Sequence, residues 1–124
     1  MQLLADVGLE DGEWEGLGVV SGTCERLPGG VKVPHIGWNT VAYPRESELF
    51  AGIPEQTAFY FVHSYHLKPT SADRIIGTAT YGVDFAAAVE QNNVYAVQFH
   101  PEKSSSAGLG LLHNFGNIVA RRHR

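Results

Sequence analysis

The chain has 124 residues, 44% hydrophobic and 18% charged. That is enough apolar material for one packed domain and too much for a disordered chain. Nine basic against 13 acidic side chains give a formal net charge of −4, which argues against a nucleic-acid partner.

The opening MQLLA reads as the first turns of a helix with no capping residue before it, followed by an acidic, Gly-rich stretch to residue 18. It lacks the charged start and long apolar run of a signal peptide. Residues 17–21 and 23–27 read as short strands around Gly22, with a Pro-Gly-Gly turn at 28–30 and another short strand at 31–33. The stretch VPHIGWNTVAY, 33–43, is extended but broken by Pro34 and Gly37, and 46–51 suits a short helix. AFYFVHSYHL, 58–67, is rich in aromatic and β-branched residues and reads as one strand. Residues 75–81 and 85–89 form a pair of strands about a turn at 82–84, and 94–99 is the most apolar strand. Ser104 or Ser105 caps a last helix reaching about Arg122, in which Leu109, Leu112, Phe115 and Val119 recur along one face. The closing Arg121, Arg122, His123 and Arg124 form the one basic cluster, placed where it complements the helix dipole.

No apolar run approaches the ~20 residues a membrane-spanning helix needs. The single cysteine, Cys24, allows no internal disulfide. A cytoplasmic α/β chain of one domain, residues 1–124, is expected.

The apolar run 94–99 stops on His100, Pro101 and Glu102. A strand covered on both faces is apolar at both sets of alternating positions, as in an α/β unit, and ligands gather at the carboxyl ends of such strands. Pro101 forces His100 into an extended conformation. Two apart in an extended segment, His100 and Glu102 share a side, and a carboxylate beside an imidazole fixes its tautomer. This is the base-and-orienter half of a nucleophilic triad, and it needs a Cys or Ser to activate. The plainer alternative is a strand-capping histidine with an acid at a helix start.

QFHPEKS followed by SSAGLGLLHNF resembles the carboxyl-terminal signature of class I, triad-type glutamine amidotransferases. VPHIGWNTV and FYFVHSYH narrow the resemblance to the glutaminase of imidazole glycerol phosphate synthase, in histidine biosynthesis. The resemblance covers the whole chain and implies a flavodoxin-like α/β fold, represented by its carboxyl-terminal portion. It implies a Cys-His-Glu triad with His100 as base and Glu102 as its orienter, and it calls for no cofactor. Gln2 and Glu10 match residues that hold the amino-acid end of glutamine, and Ser64 and Tyr65 match a loop whose backbone holds its carboxylate. Pro34, His35, Gly37, Trp38, Asn39 and Lys103 match the face that meets a (β/α)₈-barrel cyclase subunit in a heterodimer.

In the family, the MQLL helix follows a Gly-x-Cys-Leu-Gly elbow, which would place the nucleophile three residues before Met1. The parallel strands ahead of the elbow and the oxyanion loop are likewise not in these 124 residues. Cys24 has no such elbow and no helix start after it to lower its pKa. The chain alone is therefore expected to be inactive and to expose a sheet edge and an apolar face. A cyclase-binding module without catalysis and another class I amidotransferase are the alternative readings. His63 and His66, three apart on one strand, fall on opposite faces, so no metal site is expected.

Overall fold

The computed structural model describes residues 7–8, 14–15 and 20–122. The expected opening helix with Gln2, the acidic stretch with Glu10 and most of the strand at 17–21 lie outside them.

Three sheets build the described chain. The first has the order β2-β1-β3-β6, from Val7–Gly8 (β1), Trp14–Glu15 (β2), Gly22–Arg26 (β3) and Tyr65–Pro69 (β6). Its β1–β3 pair is the one parallel pairing among the described strands. The second is an antiparallel ribbon of His35–Val41 (β4) and Thr57–His63 (β5), in unbroken register from His35↔His63 to Val41↔Thr57. The third is an antiparallel meander of Ile75–Thr80 (β7), Asp84–Gln91 (β8) and Val94–Val97 (β9). An 18-residue helix, Ser105–Arg122 (α1), closes the chain.

The meander is the middle layer. From β8, Phe85, Ala87 and Ala88 enter one apolar cluster with Phe59, Phe61 and Leu111. Ala86 and Val89 enter a second with Val20, Cys24 and Leu67. Tyr95 and Val97 of β9 pack on the first cluster, Val94 and Ala96 on the second. This strand is covered on both faces, as its sequence implies, although its partner β8 runs antiparallel.

Several elements differ from expectation. The strand expected over 58–67 is two strands, because the chain changes sheet at Ser64: β5 pairs with β4, β6 with β3. The Leu27 N–H donates to the Ser64 carbonyl at 2.9 Å and fixes that corner. Gly37, at φ +128°, does not break β4. The stretch 31–33 is not a strand, and the helix at 46–51 is a single 3₁₀ turn, Glu48–Phe50. Gly82, at φ +74°, supplies the left-handed residue that the turn between β7 and β8 requires.

The helix α1 is apolar on two sides. Leu111 and Ile118 face the core, and the Asn114 amide donates to the carbonyls of Leu49 and Ala51. Leu109, Leu112, Phe115 and Val119, the stripe evident in sequence, face outward. No described helix is long and apolar enough to cross a membrane.

Candidate active site

His100 follows β9 in an extended conformation, φ −102° and ψ 100°, as the proline after it requires. Pro101 then starts a 3₁₀ turn, Pro101–Lys103, where its missing N–H costs nothing. Glu102 is thus in a turn, not in the extended segment expected. It nonetheless meets the ring, with His100 Nδ1 2.9 Å from Glu102 Oε1.

A carboxylate only accepts, so Nδ1 of His100 carries the proton in this pair. The lone pair of the neutral ring is then on Nε2, where a general base needs it. Glu102's own backbone N–H, and after it the His100 ring, hold its carboxyl below the usual range. The side chains are 40% and 60% exposed, so a substrate has access to both.

The turn is seated on the outer edge of β5. The His100 N–H donates to the Tyr60 carbonyl at 2.9 Å. The Tyr60 N–H donates to Ser104 Oγ at 3.0 Å, and Ser104 Oγ donates to the His100 carbonyl at 2.7 Å. Ser104, fully buried, thus braces the site instead of providing the helix cap expected of it. Gly108 lies so close beneath that a Cβ there would sit 1.8 Å from the Pro101 carbonyl oxygen.

Ser64 follows the far end of β5, at the corner where the chain changes sheet, and Tyr65 opens β6. From Tyr60 to Ser64 is four residues, roughly 13 Å of extended chain. One strand therefore spaces the His100–Glu102 pair from the expected carboxylate loop. Gln2 and Glu10 lie outside the described residues.

Of the residues expected on the partner face, those on β4 divide between its two sides. Strand alternation sends Ile36 and Trp38 of β4, with Val62 of β5, outward, and Trp38 is 54% exposed with its ring edge-on to Tyr60. His35 points the other way and is buried, so its side chain is not on that face. Gly37 and Asn39 share its side of the strand, and the Asn39 amide donates to the Thr80 carbonyl. Pro34 and Lys103 are exposed. Ile36 and Val62 were not singled out in the sequence; their alternation with buried neighbours was the available signal.

His35 was also missed as the partner of His63. The two are buried with 2.9 Å between His35 Nδ1 and His63 Nε2. His63 and His66 stand on different strands instead of one. Cys24 is 4% exposed, within the apolar cluster between β3 and β8. His100 belongs to the other side of the meander, so Cys24 is not placed to be its nucleophile. Two surface clefts, about 690 and 550 Å³, are lined by residues 43–55 and around His66, and neither includes His100 or Glu102. Among the described residues no group of three His, Cys, Asp or Glu side chains converges as metal ligands would.

Residues 1–118 match the family of class-I glutamine amidotransferases. The chain is 50% identical over 119 residues to the imidazole glycerol phosphate synthase subunit HisH of Moorella thermoacetica, covering 96% of this chain and 57% of that protein. It is 49% identical to the protein of the same name from Desulfitobacterium hafniense, strain DCB-2, covering 96% and 56%. The chain thus spans little more than half the length of these relatives. A crystal structure of a GMP synthase component from Thermoplasma acidophilum superposes with a TM-score of 0.65 at 19% identity. It covers 82% of this chain and 50% of that one, a likeness of fold alone.

Proposed function

The chain belongs to the class-I glutamine amidotransferase family, and from that premise we propose that it forms part of the glutaminase of an imidazole glycerol phosphate synthase. The glutaminase hydrolyses glutamine to glutamate and ammonia, and a cyclase partner consumes the ammonia in histidine biosynthesis. Residues 1–124 are the carboxyl-terminal part of one amidotransferase domain in this reading. The similarity to the two HisH proteins supports the choice of synthase.

The observation that carries the reading is the 2.9 Å contact between His100 Nδ1 and Glu102. It leaves Nε2 to exchange a proton with a thiol. The thiolate attacks the side-chain amide carbon of glutamine. The protonated His100 returns its proton to the departing nitrogen, and ammonia leaves a glutamyl thioester. Water, deprotonated by Nε2, then cleaves the thioester and restores the thiol. Glu102 keeps the ring oriented and steadies its charged form. Ser64 and Tyr65 hold the substrate carboxylate, and Gln2 and Glu10 hold its amino-acid end. The thiol is a group other than Cys24.

Ile36, Trp38 and Val62, with Pro34 and Lys103, are the surface that meets the cyclase. Trp38 is the anchor, since a half-exposed tryptophan on a rigid strand offers large apolar area at low entropic cost.

The burial of the sole cysteine favours a second reading, a cyclase-docking module without hydrolysis. A thiol-alkylating analogue of glutamine separates the two. The glutaminase reading expects one equivalent of label on the protein purified from its own cells, lost in His100→Asn. Cyclase capture with no labelling would favour the docking module. Co-purification of a different synthase would instead point to another amidotransferase of the class.

A further inference from the structure

The buried pair His35 and His63 has no part in the proton transfers above. The two residues are 4% and 6% exposed. Antiparallel register sets them directly opposite one another at the end of the β4–β5 ribbon. His63 Nδ1 lies 2.9 Å from the Tyr65 carbonyl oxygen, and His63 Nε2 lies 2.9 Å from His35 Nδ1. A carbonyl only accepts, so His63 Nδ1 carries a hydrogen. Burial, more than any other influence, keeps this ring neutral near pH 7. Its Nε2 is therefore an acceptor, and His35 Nδ1 must donate to it. His35 in turn is stacked between Phe61 and Tyr81, at centroid distances of 5.1 and 4.0 Å. One proton order fits, and the outermost ring is clamped.

Two separate bonds hold the backbone at Tyr65, the Leu27 N–H on the Ser64 carbonyl and His63 on the Tyr65 carbonyl. Because peptide units are planar, the Ser64 carbonyl and the Tyr65 N–H share one plane, set by Leu27, and the Tyr65 carbonyl lies in the next, set by His63, so the two bonds together fix the backbone turn at Tyr65. We propose that His35 and His63 are positioning residues that hold the Ser64–Tyr65 backbone in the orientation that receives the glutamine carboxylate. The proposal rests on the glutaminase reading for its ligand, while the hydrogen-bond order stands apart from it.

The test is an NMR titration of the ¹⁵N-labelled full chain with glutamine, alongside the imidazole ¹⁵N pattern that distinguishes tautomers. His35→Asn keeps a donor near the position of Nδ1, and His35→Leu removes it. His63→Asn keeps the donor to the Tyr65 carbonyl but cannot accept from residue 35. Both native rings should carry hydrogen on Nδ1. His35→Leu should weaken glutamine binding about tenfold, the scale of one lost hydrogen bond, and His35→Asn should recover most of it. In a His63→Asn background His35→Leu should cost nothing more, whereas a merely structural role gives additive losses. Hydrogen on Nε2 of either ring, equal affinity in His35→Leu, or additivity would overturn the positioning role. A native chain that takes no glutamine would overturn the glutaminase reading instead, and the tautomers with the Ser64 and Tyr65 amide shifts would still decide whether the pair orders this backbone. Should His35→Leu not fold, affinity in His35→Asn falling as far as in His63→Ala would likewise overturn the positioning role.

Discussion

Glu102 is more than half exposed, so its pairing with His100 contributes little to stability, and its value is the orientation of the ring. Glu102→Gln is expected to leave the urea midpoint nearly unchanged while lowering glutaminase turnover of the active enzyme about 10- to 100-fold. Steady-state kinetics beside an unfolding curve would check both halves. The buried histidines set a different pH dependence. Burial lowers the pKa of His63 to about 4, and those of His35 and His66 also fall. The unfolded chain then binds more protons than the native one below about pH 6.5, so stability is full above that value and is lost as pH falls toward 4. His63 alone accounts for up to about 3 kcal/mol. Urea unfolding between pH 7 and pH 4 should show this decline, and a flat profile would contradict it. The His100–Glu102 pair was legible in sequence because its members are two residues apart and a proline sets the backbone. The His35–His63 pair was not, because strand register alone unites residues 28 apart.

Among the elements, α1 and the turn before it are fitted backbone to backbone. Gly108 is small because the Pro101 carbonyl occupies the place of its Cβ. Gly108→Ala, favourable by helix propensity, is therefore expected to destabilise by more than about 2 kcal/mol and to shift the His100–Glu102 turn. Thermal melts and the His100 ring resonances would register both effects. Ser104→Ala should cost about 1–3 kcal/mol, since it strips the half-buried Tyr60 N–H of its acceptor. The aromatic and β-branched content of β5 and the apolar run of β9 were readable from the sequence. The break at Ser64 was not, because it reflects a change of pairing partner. The helix showed its 109-112-115-119 stripe plainly, yet the core took the neighbouring 111–118 side. Period alone identifies the helix but cannot choose between two apolar faces.

For the molecule as a whole, that outward stripe sets four exposed large apolar side chains on one helix. Leu109 is 67% exposed, and Leu112, Phe115 and Val119 are about 40% exposed or more. Changing Leu109 and Leu112 to Lys should raise the solubility limit of this chain with little loss of stability, because neither residue contributes to its core. Light scattering against concentration checks this, and a drop in melting temperature of more than a few degrees would contradict it. The outward Ile36, Trp38 and Val62 belong to a second exposed apolar region, on the far side of the β4–β5 ribbon from His35.

Whether His100 is the base of a glutaminase is tested most directly by ammonia release from glutamine. The protein is purified from its own cells, native and His100→Asn, and glutamine binding is measured in parallel. The native protein should give ammonia and glutamate in equal amounts, and His100→Asn should lose at least about 100-fold in rate with binding retained. Equal ammonia release by the two proteins, or none from the native one, would contradict the role of His100.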